Sequence, residues 1–313
     1  MSKRIPRLLP AALVALALVA TACGSGGGGS KSKSASFSGA GFPATIRAAN
    51  GPVTIDKRPS RIVSLSATAT EMLFAIGAGR QVVAVDATSD YPPSAPKKSL
   101  DAQNPNIEAI TSYRPDLLVV AEDTAGVLDN AKRLGVPALL EPAAKRLSDS
   151  YAQLDQLGRA TGHQPAATAV AKQMRDRIGA LAAEVPKRTK PLTYYHELDD
   201  TLFTVTSDTF VGQVYRMAGL HDVADATADK AGGYPQLSNE FVVQSNPDLI
   251  FLADTKCCHQ SPATAAARPG WSTLRAIKGS DVIPLDDDIA SRWGPRVVDF
   301  FQTIIDAVKK AEG

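Results

Sequence analysis

Beyond residue 41 the chain alternates short, almost wholly apolar runs with longer stretches in which apolar residues recur at every third or fourth position. The short runs, rich in Val, Ile and Leu, predict buried strands, and the stretches between them predict helices. Together they indicate α/β layers with largely parallel sheets. Strand candidates fall at 61–66, 81–85, 117–121 and 138–141 in a first half, and at 193–197, 249–253 and 281–285 in a second. Between the halves, 147–184 is the longest helix-compatible stretch, interrupted near Gly162, with Pro165 suited to a first helical turn. From Pro165 to Glu184 the residues Val170, Met174, Ile178 and Leu181 line one face, which is therefore buried. Its length of about 30 Å suffices to run along two lobes.

The halves repeat one another. Glu108, then Pro115, Asp116 and the apolar run 117–121, is echoed 132 positions later by Glu240, Pro247, Asp248 and 249–253. In each copy Pro-Asp ends a helix and turns into a strand. A weaker pair matches 71–77 with 213–219, with about ten extra residues in the first half around Asp90, Tyr91, Pro92 and Pro93. Two similar α/β lobes joined by a single long interdomain helix describe a cleft protein. The expected division is 41–146 for the first lobe, 147–188 for the interdomain segment and 189–313 for the second lobe.

The amino-terminal segment reads differently. Lys3, Arg4 and Arg7 precede the apolar run 8–22, too short for the roughly 20 residues of a spanning helix, and small residues close it. This predicts an export signal over 1–22, with Cys23 as the first mature residue. Residues 23–40 are dominated by Gly, Ser and Lys and predict a flexible tether. Val19, Ala20, Thr21, Ala22 and Cys23 resemble a bacterial lipobox, which implies a lipid on Cys23 and an anchor on the outer face of the cytoplasmic membrane.

Charge and motifs narrow the function. The chain has 34 basic and 32 acidic residues, and loss of 1–22 removes Lys3, Arg4 and Arg7, leaving a net charge of −1. A nucleic-acid partner is therefore not expected. Gly24, Gly26 and Gly29 fit a G-x-G-x-x-G pattern, but no strand precedes and no helix follows them. No P-loop, G-x-S-x-G elbow or H-E-x-x-H is present. His196, Glu197 and Asp199 alone suggest a hydrolase or reductase, without a nucleophile and positioned base. A binding protein without enzymatic activity or resident cofactor is the stronger reading.

Arg61 to Ser66 leading to Thr70 and Glu71, the Ser89, Asp90, Tyr91, Pro92, Pro93 turn, both Pro-Asp strands and the late Gly294, Pro295, Arg296 segment together resemble one family. They are similar, from about Phe42 to Val308, to the solute-binding proteins of bacterial ABC importers for ferric siderophores, haem and vitamin B12. The resemblance implies a rigid interdomain helix, small lobe closure, and a monomer that delivers its cargo to a membrane permease dimer. It also implies that Glu108 and Glu240 each meet permease arginines, a pairing that bidentate geometry makes specific.

The ligand is expected where the carboxyl ends of the strands of both lobes face each other. The first wall would carry Thr88, Tyr91 and Glu122, the second His196, Tyr234, Lys256, Arg292 and Trp293. Aromatic faces and a guanidinium suit a large metal chelate. Family B12 binders clamp the corrin with aromatics, and the matching positions here hold Thr88, Ala102 and Ala121. Haem would need an axial ligand such as Tyr91, His196 or His259. A ferric siderophore, complemented by Arg292 and Lys256, is the favoured cargo, and an envelope sensor or interaction protein is the alternative outside transport. Cys257 and Cys258 are adjacent, and a strained ring disulfide between them ranks above free thiols or soft-metal binding with His259.

Overall fold

The computed structural model describes residues 41–227 and 230–311; the predicted signal, lipobox and tether lie outside them. The chain enters through a hairpin absent from the sequence reading, β1 (Ala44–Ala48) paired antiparallel with β2 (Gly51–Ile55). Alternation explains it: Ile46 and Ile55 point into the core while Thr45, Arg47 and Thr54 face water.

Every predicted strand is present. The first lobe holds β3 (Ile62–Leu65), β4 (Val82–Val85), β5 (Leu117–Val120) and β6 (Ala138–Leu140) in the order β4-β3-β5-β6, all parallel. Its helices are α1 (Ala67–Ala75), α2 (Ile107–Ser112) and α3 (Val127–Arg133). The connection is not the single helix expected but a pair, α4 (Leu147–Thr161) and α5 (Gln164–Ala183), because Gly162, left-handed at φ 75°, ends the first where the interruption was read. A Cβ on Gly158 would collide with the Ala167 methyl group, so the two helices touch backbone to side chain.

The second lobe repeats the plan. It holds β7 (Thr193–Glu197), the two-residue β8 (His221–Asp222), β9 (Leu249–Leu252) and β10 (Val282–Pro284), in the order β8-β7-β9-β10, again parallel. Its helices are α6 (Phe210–Met217), α7 (Asn239–Ser245), α8 (Pro262–Ala266), α9 (Arg275–Lys278), α10 (Asp287–Ser291) and α11 (Val297–Lys310).

The repeat is physical as well as textual. Asp116 accepts the backbone N–H groups of Ser60 and Arg61 at the start of β3, and Asp248 accepts that of Thr193 at the start of β7. Arg114 and Asn246 occupy matching left-handed positions, φ 47° and 44°. Arg61 and Arg275 then donate to the freed carbonyls of Tyr113 and Asn246. One side of each sheet packs into a common core that runs from Ile62, Leu117 and Val119 through α4 and α5 to Tyr194, Phe251 and Phe300. The opposite sides form separate clusters, around Val63 and Leu118 in the first lobe and around Tyr195 and Trp271 in the second. Because the shared core is continuous, moving one lobe on the other would disturb close-packed side chains.

Candidate functional site

The loops that leave the carboxyl ends of the two sheets meet, and ionic contacts join them. The Arg292 guanidinium, 10% exposed, bonds Asp90 (2.7 Å) and the Thr88 carbonyl (3.0 Å) of the first lobe, and Asp288 (2.5 Å) of its own. Burial alone would raise the Asp90 pKa, but the bond and charge of Arg292 hold it below the usual carboxylate range. A second bridge joins Arg296 to the buried Glu71 of α1 (3.0 Å), with the Arg296 backbone N–H donating to the other carboxylate oxygen. The Arg296 guanidinium lies 4.0 Å from the centre of the Tyr91 ring.

These contacts change the roles expected of several residues. Arg292 is a clasp between lobes, its charge already neutralised, and not a free anion binder. Lys256 is exposed, yet its ammonium is held by Asp286 (2.9 Å) and Asp288 (2.6 Å). Trp293 donates from its indole to Gln153 of α4 (2.7 Å), and its carbonyl accepts from Ser150, so it is fastened to the side of α4. Tyr91, 41% exposed, packs under Arg296 in a groove of about 340 Å³ with Phe74 and Pro295.

His196 is not on a wall at all. It is fully buried, its Nδ1 lies 2.8 Å from the Tyr215 hydroxyl, and burial lowers its pKa to about 3. It therefore stays neutral inside the aromatic packing of Tyr194, Tyr215 and Phe251. Thr88 and Glu122 are exposed on the loops after β4 and β5, and Tyr234 is 48% exposed.

Two features escaped the sequence reading. Phe203, 37% exposed, lies in the loop after β7, where it bridges to Gln236 two residues from Tyr234. A lone aromatic among threonines carries no periodic signal. The second is a buried acid pair at the ends of β7 and β9. Glu197 takes a bidentate pair from Arg268 (2.5 and 2.6 Å) and a bond from the Tyr195 hydroxyl (3.2 Å). Beside it Asp254 is completely buried, and burial followed by the Glu197 charge raises its pKa to about 8, so it keeps its proton at neutral pH. In the sequence Glu197 stands out only as a neighbour of His196 and Asp199, and Asp254 not at all, because their meeting depends on the pairing of β7 with β9.

Asp287 gathers the next loop, accepting from the Thr255 hydroxyl (2.9 Å) and from the backbone N–H groups of Lys256 and Cys257 (3.0 Å each). The Cys257 and Cys258 sulfurs are 2.6 Å apart. Burial, then the bond with Cys258, pushes the Cys257 thiol up to about 12, which disfavours a metal-binding thiolate. Among the described residues, no three His, Cys, Asp or Glu side chains converge as a metal site, and no helix is long and apolar enough to cross a membrane.

Glu108 and Glu240 are both exposed in the first turns of α2 and α7, helices whose amino ends are capped by Asn106 and Ser238. Their equivalence in the repeat is matched by equivalent places in the two lobes, each helix leading through Pro-Asp into β5 or β9.

Comparison with known proteins places this geometry. An ABC transporter substrate-binding lipoprotein of Bacillus subtilis, YvrC, is 29% identical over 85% of this chain and 86% of its own. A vitamin B12-binding protein of Pectobacterium atrosepticum is 30% identical over 77% of this chain and 85% of its own. A crystal structure from Staphylococcus epidermidis, described as a possible iron-binding periplasmic solute-binding protein, superposes with a TM-score of 0.69 at 26% identity. It covers 80% of this chain and 99% of that one. Residues 62–289 match the periplasmic binding protein family. With its two parallel-sheet lobes, the chain belongs to that family and is a substrate-binding protein of the ABC-importer type.

Proposed function

We propose that the protein captures a corrinoid outside the cytoplasmic membrane, held there by a lipid on Cys23, and hands it to a permease through Glu108 and Glu240. The observation that carries this choice of ligand is the charge balance of the cleft loops. Arg292 and Lys256, the cations that favoured an anionic ferric siderophore, are paired with Asp90, Asp286 and Asp288. An anionic chelate would meet carboxylates there. The exposed aromatic surface of Phe203 and Tyr234 instead offers flat apolar contact to a large macrocycle whose periphery is amide rather than acid. Vitamin B12 binding by relatives of nearly full length supports the same reading.

Calorimetric titration of the protein with cyanocobalamin, haem and ferric hydroxamate and catecholate siderophores tests it. Submicromolar saturable binding of cyanocobalamin is expected, weakened about tenfold or more by the double change Phe203→Ala and Tyr234→Ala. Tight binding of an anionic siderophore in its place would overturn the corrinoid reading and return the cargo to iron. Reversal of both docking charges, Glu108→Lys with Glu240→Lys, is expected to abolish uptake in cells while the titration stays unchanged. A fall in affinity would remove the two glutamates from the permease interface.

A further inference from the structure

The adjacent cysteines occupy a loop with an unusual set of restraints. The loop leaves β9 through Ala253 and the buried Asp254, whose carbonyl accepts from the backbone N–H groups of both Cys258 (3.2 Å) and Gln260 (3.3 Å). On its other side, Lys256 and Cys257 offer their N–H groups to Asp287. His259 closes the turn in a left-handed conformation, φ 55°. Within this frame the two sulfurs touch, and Cys257 is exposed to solvent. Asp287 opens α10, and the next residue, Asp288, holds both Lys256 and Arg292, the side chain that reaches Asp90 across the cleft. One continuous chain of contacts thus links the cysteine pair to the clasp between lobes.

We propose that Cys257 and Cys258 are a redox-modified site: by exchange with an external disulfide they close to a vicinal disulfide, which stiffens the 255–260 loop and with it the Asp287–Arg292 side of the clasp. The exchange balances. Cys258 attacks the oxidant to give a mixed disulfide and release one thiol; Cys257, passing its proton to the departing sulfur, displaces the other thiol and closes the S–S bond. Two protein thiols lose two hydrogens in all, and the oxidant becomes two thiols. Cα atoms about 3.8 Å apart are closer than an ordinary bridge allows, so the ring is strained and a mild dithiol reopens it. The protein passes between two states in an oxidising compartment, without a partner chain and whichever chelate it binds.

Mass measurement of the protein exported by its own cells, with and without dithiothreitol, tests the modification. The expected result is a chain lighter by two hydrogens that gains them on reduction and then takes two maleimide labels. The Cys258→Ser variant should show neither change. Reduced protein should close again with glutathione disulfide, and amide exchange at Lys256 and Cys257 should then slow by about tenfold, with slower exchange also at 286–292. Two free thiols after glutathione disulfide, or a stable mixed disulfide, would overturn the ring. A ring that leaves exchange at both segments unchanged would overturn its link to the clasp. None of these readouts uses a ligand, so failure of the corrinoid reading would leave them intact.

Discussion

The two lobes place equivalent residues on the same backbone and put opposite chemistry on them. Pairing of β3 with β5 and of β7 with β9 aligns Ile62, Val63, Ser64 and Leu65 with Tyr194, Tyr195, His196 and Glu197, and Glu122 with Asp254. The first lobe ends its central strand in an apolar residue, with a solvated glutamate on the neighbouring loop. In the second lobe the matching positions are a buried carboxylate and a buried carboxylic acid facing one arginine. The aromatic bulk of Tyr194, Tyr215, Phe251 and Phe300 fills space that aliphatic side chains occupy in the first lobe. Parallel-sheet scaffolding tolerates this divergence because its hydrogen bonds are made by the backbone. What a strand end can do depends on the segment that folds over it, here 254–268.

Arg268→Ala should have the largest effect on the difference between the two strand ends. It strands Glu197 beside Asp254 without a counter-charge and is expected to cost about 3–5 kcal/mol in urea unfolding. Glu122→Ala, at the position equivalent to Asp254, should change stability by less than about 0.5 kcal/mol. Equal losses would show that the two strand ends are alike after all.

A smaller effect sets two buried groups, Glu141 and His196, against each other in pH. Burial raises Glu141, at the end of β6, to about 8, so the folded chain keeps a proton that the unfolded chain loses near its ordinary pKa of 4.5. Its contribution is therefore present at low pH and is lost as pH rises from about 4.5 through about 8. His196 acts in the opposite sense: the unfolded chain gains a proton below about 6.5 that the folded chain refuses until about 3. Its contribution is lost as pH falls through that window. Glu141→Gln should lessen the alkaline fall in stability, to which the raised Asp254 also contributes, by on the order of 2–4 kcal/mol between pH 5 and 8 in urea unfolding, and leave the acid limb in place. The smallest change expected is Tyr215→Phe, which removes the bond to His196 and should lower stability by about 1 kcal/mol. A chemical-denaturation series on the single variant measures it.

Strand positions, the repeat and the break at Gly162 were readable because they depend on local chemistry: apolar runs, Pro-Asp turns and a left-handed glycine. The hairpin at 44–55 was not, since its alternation is short and lies among polar residues. The weaker second pair, 71–77 against 213–219, falls on α1 and α6, helices that follow equivalent strands β3 and β7. The repeat made Glu108 and Glu240 equivalent positions, both exposed at the starts of α2 and α7, while a docking role for them was implied only by the family resemblance.

The wall residues fared differently. Tyr234 stands exposed two residues from Gln236, the bridge partner of the unforeseen Phe203, whereas His196 is sealed in the core, and Arg292 and Lys256 are bound by aspartates on their own and neighbouring loops. Sequence pattern specifies which face of an element is apolar, and that suffices for the lobes, their order and the cleft between them. Whether a charged side chain is free or already neutralised depends on partners up to 225 residues away, such as Glu71 for Arg296. Those distances are set only when the two sheets close on a shared core. The fold therefore follows from short-range patterning, and the electrostatics of the cleft from long-range packing.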